Sequence, residues 1–197
     1  MRKERIGLPA GEDPFAYIML KIGSPRLNKS LLESWDAQYF NDSTVTPRER
    51  ECLRTRLAQQ QQACNYCDAF RLHRDAQGFA AIIGVNRGEF SFDETPEELY
   101  ERVFEYATWP GYTERERLAI EFGERFCHDY QDLAADDAFW ERMKASFSDT
   151  EIADLCLMVG VWDSSAKMFH LLVGFEEGCP IPDRDAAAGS TRETAPS

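Results

Sequence analysis

Apolar residues recur along the chain every three or four positions, and polar punctuation separates these stretches. Leu118, Phe122, Phe126 and Tyr130 repeat every four residues, with Ala119, Gly123 and Cys127 on the adjoining row. Leu99, Val103 and Ala107 follow the same period. Upstream, Phe15, Ile18, Met19 and Ile22 predict a short helix, and Leu27, Leu31, Trp35 and Tyr39 a second. This is the period of an amphipathic helix, and no alternating strand pattern accompanies it. The segment 152–175 is apolar on nearly every side, which predicts a buried central helix. Ser/Thr-x-x-Glu occurs at Thr46–Glu49, Thr95–Glu98, Thr113–Glu116 and Ser148–Glu151. Each can close as a capping box, and Pro47 and Pro96 suit a first helical position. The expectation is an all-α fold: one helical domain over residues 1–182 with seven or eight helices. The tail 183–197 has almost nothing to bury and is expected to be disordered. "TPRERECL" from Thr46 and "TERERLAI" from Thr113 echo each other; two related helical halves and a shared helix-start grammar both account for the echo.

Charge narrows the partners. Among 197 residues, 22 Lys+Arg stand against 35 Asp+Glu, a net charge of −13. That disfavours nucleic-acid backbones and anionic membranes. The basic start "MRKER" has no apolar stretch behind it, so no signal peptide is expected, and no apolar segment is long enough to span a bilayer. A cytoplasmic location is the resulting expectation. There, six cysteines do not form a permanent disulfide framework, and an isolated CxxC reads as redox-active or metal-binding.

That CxxC is Cys64-Asn65-Tyr66-Cys67, with His73 close behind. A helix over residues 64–79 puts Cys67 about 60° from Cys64, Arg71 about 40° from Cys67, and His73 on another face, at about 100° per residue. Arg71 is then the neighbour of Cys67. A guanidinium can stabilise a thiolate but cannot take its proton. Between Thr46 and Arg74 stand six arginines (48, 50, 54, 56, 71, 74) and three acids (49, 51, 68). This local basic excess reads either as a solvated helix face or as part of a site.

These segments resemble the alkylhydroperoxidase D / carboxymuconolactone decarboxylase-like family over residues 18–176. The likeness rests on "TPRERECLRTRLAQ", on "CNYC" opening the next helix, on "YTERERLAIEFGERF", and on "FSDTEIADLCLMVGVWDSSAKMF". It implies an AhpD-like all-α homo-oligomer in which Cys67 attacks a hydroperoxide, Cys64 resolves the sulfenic acid as a disulfide, and an external thiol reduces that disulfide. Two positions depart from the family pattern. Arg71 stands where the relay histidine usually follows the second Cys. Cys52 stands where the relay glutamate is usual, with Glu51 one residue earlier as the candidate proton acceptor.

In the last apolar segment Asp163, Lys167 and His170 share one helical face. Asp163–Lys167 is an ion pair or a pocket wall, and His170 is a candidate base. Cys127 and Cys156 read as core thiols, Cys52 as a core or third redox thiol, and Cys179 as a loop thiol. No second CxxC or HxxxH follows, so neither a metal site nor a cofactor is expected. The leading expectation is a thiol-dependent peroxidase-type oxidoreductase. Its alternatives are a cofactor-free, decarboxylase-like lyase using Glu51, Asp163 or His170, and a catalytically silent oligomeric module.

Overall fold

Of the Ser/Thr-x-x-Glu sequences at Thr46, Thr95, Thr113 and Ser148, three close as capping boxes. Thr46 and Glu49 exchange backbone-to-side-chain hydrogen bonds, as do Thr113 and Glu116, and Ser148 and Glu151. The fourth does not form. Pro96, at ψ 133°, is the N-cap of a helix that begins only at Glu97, and the buried Thr95 hydroxyl hydrogen-bonds Tyr100 instead.

The computed structural model describes residues 6–7, 14–40, 44–60, 68–85, 88 and 91–173. Among them all regular structure is helical. In chain order the helices are α1 (Pro14–Lys21), α2 (Pro25–Tyr39), α3 (Pro47–Gln60), α4 (Leu72–Ile82) and α5 (Glu97–Glu101). A 3-10 turn (Val103–Glu105) follows, then α6 (Glu114–His128), α7 (Tyr130–Ala135), α8 (Asp137–Ser146) and α9 (Asp149–Val173). The expected count of seven or eight falls short because α7 and α8 are separate short helices and α5 is a brief one. No described helix is long and apolar enough to cross a membrane. The expected tail lies outside the described residues.

The centre of the fold is α3, every residue of which from Glu49 to Ala58 is buried. The sequence pattern assigned that place to the last helix. In fact α9 buries Leu155, Met158, Val159 and Trp162 but exposes Leu157 and Leu171, so it is a flank helix with one apolar face outward. α3 tolerates burial because all but one of its buried charged residues are paired, Glu49 and Arg56 with α6 and Glu51 with Arg54, which sequence periodicity cannot register.

α3 and α6 run side by side in parallel. Their first turns meet through Arg48–Glu116 and Arg115–Glu49, and their last turns through Arg56–Glu124 and Gln60 to the Glu124 carbonyl. Gly123 permits this approach: a Cβ there would lie 2.2 Å from Leu53 Cδ1. The main core gathers Leu53, Leu57, Leu118, Phe122, Met143 and Val159. A second cluster, on α2 and α4, holds Trp35, Phe40, Phe70 and Phe79, and Tyr39 packs against both.

Candidate functional site

The described chain resumes at Asp68, the residue after Cys67; Cys64 and Cys67 themselves, and Cys179, lie outside the described residues. What is described is the charged cluster that holds the chain from Asp68 to Leu72. The expected helix over 64–79 is interrupted. Residues 70 and 71 are non-helical, and Arg71 is the N-cap of α4 at φ −133°, ψ 117°. The one-turn geometry that set Arg71 on the face of Cys67 therefore does not hold.

Arg71 is buried and fully engaged. Its guanidinium pairs with Glu97, donates to the carbonyls of Asp68 (2.5 Å) and Phe70 (2.8 Å), and stacks 3.7 Å from the Tyr100 ring centroid. Its charge is thus spent locally on Glu97, whose carboxyl is held below the usual carboxylate range chiefly by the hydrogen bond from Arg71. The Arg71 backbone N–H is capped by Asp75 Oδ2 at 2.8 Å, and Asp68 is tied to α3 by Gln59 Nε2 at 2.8 Å.

Beneath Arg71 lies Glu51, 2% exposed. Its Oε1 accepts from Arg54 Nε at 2.9 Å; its Oε2 accepts from the Leu72 N–H at 2.9 Å and from the Tyr100 hydroxyl at 2.8 Å. Leu72 is the first residue of α4, so a carboxylate from α3 satisfies an otherwise orphaned N–H and faces the positive end of the α4 dipole. Burial, and then the Glu51 carboxylate, push the Tyr100 hydroxyl's pKa far up, so it remains a donor. Arg54 Nη2 continues the network to the Phe70 carbonyl at 2.7 Å. Lone-pair counting leaves Oε1 of Glu51 one further acceptor position.

The basic excess of the sequence is therefore not a solvated face. Arg50, Arg54, Arg56 and Arg71 are buried, and only Arg48 and Arg74 reach solvent substantially. Sequence reading missed Tyr100 and Glu97, whose roles depend on the chain returning α5 to α3, and counted Arg54 only in the basic excess, although its partner Glu51 is three residues away.

The other candidates sit apart. Cys52 is 1% exposed among Leu99, Val103, Tyr112 and Ile120. Burial pushes its thiol pKa far up, with the Glu116 and Glu51 carboxylates adding, so it stays a protonated core thiol. Cys127 and Cys156 are half-buried against the main core. His170 occupies the last turn of α9; its Nδ1 is buried without a partner, and no hydrogen bond joins it to Glu51 or Arg71. Asp163 and Lys167 form an ion pair at 2.6 Å. His73 lies in the first turn of α4, also with Nδ1 unpartnered. Among the described residues no three His, Cys, Asp or Glu side chains converge in a way that could hold a metal ion.

No protein-family model matches the chain, and no curated protein or solved structure matches it either.

Proposed function

We propose that the chain is a thiol-dependent oxidoreductase of the alkylhydroperoxidase D type, reducing a hydroperoxide through Cys67 and Cys64. The observation that carries the reading is the buried carboxylate of Glu51, bonded to Arg54, Tyr100 and the Leu72 N–H, where the chain emerges from the CxxC segment. Burying such a cluster costs desolvation, which its close hydrogen bonds to Arg54, Tyr100 and Leu72 offset. An acidic acceptor on the helix that precedes the CxxC in the chain, tied to the backbone that follows it, suits thiol chemistry.

In the proposed cycle Cys67 loses its proton, with Glu51 Oε1 as acceptor. The thiolate attacks the outer peroxide oxygen, the O–O bond breaks, and an alcohol leaves after taking up a proton. Cys67 is then a sulfenic acid. The Cys64 thiol attacks that sulfur, a disulfide forms and water departs. An external dithiol returns the pair to the reduced state and is itself oxidised. Arg71 enters this scheme as a positioning residue for residues 68–72, since Glu97 and Tyr100 occupy its guanidinium. A homo-oligomeric, cytoplasmic AhpD-like protein is the setting the family likeness implies. The acid/base lyase reading draws less support, because no hydrogen bond joins Glu51, Asp163 and His170.

Mass spectrometry of the intact chain after treatment with cumene hydroperoxide tests the reading. Wild type should lose two free thiols and yield a Cys64–Cys67 link, and Cys64→Ser should trap a sulfenic acid at Cys67 that dimedone captures. Unchanged thiols in wild type, or equal oxidation in Cys67→Ser, would overturn it.

A further inference from the structure

Seven charged side chains are buried among the described residues, and six of them face an opposite charge. Glu49 has Arg115, Glu51 and Arg54 have each other, Arg56 has Glu124, Arg71 has Glu97, and Glu116 has Arg48. Arg50 is the exception. It is 4% exposed, pairs with no carboxylate, and makes its one hydrogen bond to the Gln38 carbonyl, with Nε buried and unpartnered. Its neighbours in sequence, Glu49 and Glu51, pair with other arginines, and Glu51 acts on it only without a direct contact.

A guanidinium cannot shed its proton to escape burial. A water, or a turn of the Gln38 amide toward it, would supply an acceptor but no charge. Buried charge without a counter-charge is the most unfavourable arrangement in a protein interior. A second unsatisfied donor lies in the same neighbourhood. Trp162 is 8% exposed, its indole Nε1–H is buried without a partner, and its ring centroid lies 5.6 Å from that of Tyr39. Arg50 meets the same stretch of α2, since the Gln38 carbonyl that accepts from it belongs to the residue just before Tyr39. Tyr39 bridges the two apolar clusters and also packs against the rings of Phe40, Phe70 and Phe79. The junction of α2, α3 and α9 thus offers a cation, an indole donor and an aromatic wall, and among the described residues no carboxylate is in ion-pair contact with that cation.

We infer that Arg50, with the Trp162 indole N–H, binds a small organic carboxylate at this junction, its charge on the guanidinium and its apolar body against the aromatic rings. The inference is independent of the thiol reading, since neither Cys64 nor Cys67 enters it.

Benzoate and acetate are the probes, titrated into the full chain while the Trp162 indole ¹H–¹⁵N resonance, identified by its loss in Trp162→Phe, is followed. Benzoate should shift that resonance saturably and raise the thermal midpoint. Acetate should bind more weakly for want of a ring. Arg50→Met should abolish the shift while leaving the ligand-free protein at least as stable as wild type. Arg50→Lys keeps the charge but loses the fork, and should weaken binding at least about tenfold; this variant decides the matter if Arg50→Met does not fold. Cys67→Ser should bind benzoate like wild type, which separates failure here from failure of the peroxidase reading. No indole shift with benzoate, the same shift in Arg50→Met, or equal binding of chloride and phosphate at matched ionic strength would overturn the inference.

Discussion

Arg115 Nε holds the capping carboxylate of Glu49 at 2.6 Å, and Arg48 returns the contact to the capping carboxylate of Glu116. The two helices exchange partners at their first turns, and Arg115 extends the exchange to a third capping glutamate, Glu151, at 2.7 Å. Parallel α3 and α6 bring two positive dipole ends together, and the capping carboxylates neutralise them. The arginines then bind those carboxylates across the helix gap, and Arg115 also lies 4.1 Å over the Phe147 ring. Arg115→Ala should destabilise the fold by about 1–3 kcal/mol, because Glu49 loses its counter-charge while still buried. A urea double-mutant cycle with Glu49→Ala should show the two changes to be non-additive. Additivity would mean that the reciprocal contact contributes nothing.

Acid should act through the same cluster. The Ser148 N–H, then the Arg115 guanidinium, bring the Glu151 carboxyl down to about 2, below its ordinary value of 4.5. A group whose folded pKa is depressed contributes stability above its unfolded pKa and loses it as pH falls through the folded one. Urea midpoints should therefore hold above about pH 4.5 and decline from there toward pH 2. In Arg115→Ala, Glu151 titrates closer to its unfolded value, so the decline should be shallower. An equally steep decline would put the acid sensitivity elsewhere.

The helix inventory was legible because caps and apolar periods are local. Three boxes close as written, and α2 lies where its stripe puts it; α6 does so up to Phe126, but it ends at His128, and Tyr130 is exposed at the start of α7. The Thr95 box fails for a tertiary reason: its hydroxyl is drawn to Tyr100, and the helix starts past Pro96. The break at residues 70–71 was hidden for a similar reason. Nothing in "DAFRLHRDA" announces it, and its compensation comes from afar, with Glu51 satisfying the Leu72 N–H and Arg54 the Phe70 carbonyl. The echo between Thr46 and Thr113, ambiguous as a string, corresponds to two helices that swap arginines onto each other's capping glutamates. The last helix reads as the buried one when apolar composition is taken as burial, whereas α3 buries Arg56 against Glu124, 68 positions away, and Glu49 against Arg115, 66 positions away.

Close packing at Gly123 yields a steric prediction. The Cβ of Gly123→Ala would stand 2.2 Å from Leu53 Cδ1, and Leu53, fully buried beside Val159 and Leu57, has little room to turn away. The substitution should cost about 1–3 kcal/mol of stability through overpacking. Leu53→Ala alone should destabilise by leaving a cavity. The double variant should be more stable than the sum of the two single effects implies, since the new methyl enters the vacated space. Chemical denaturation of the three variants measures this coupling, and strict additivity would show that the helices separate instead.

Glu51 is asked to do two things, anchoring α4 and accepting a proton, and paired substitutions separate them. Glu51→Gln keeps an oxygen for the Leu72 N–H and the Tyr100 hydroxyl but strips the counter-charge from Arg54, whose side chain is 4% exposed. Breaking such a pair on one side should destabilise by about 3 kcal/mol or more. Adding Arg54→Met removes the stranded cation and should restore much of that loss, as replacement of buried ion pairs by apolar residues often does. The rate of peroxide-dependent thiol loss in a single turnover then assigns the role. If Glu51 is the acceptor for the Cys67 proton, the double variant regains its urea midpoint but stays slow, and its rate rises with pH as bulk base takes over. If the rate returns along with the midpoint, Glu51 is a positioning residue and the proton leaves by another route.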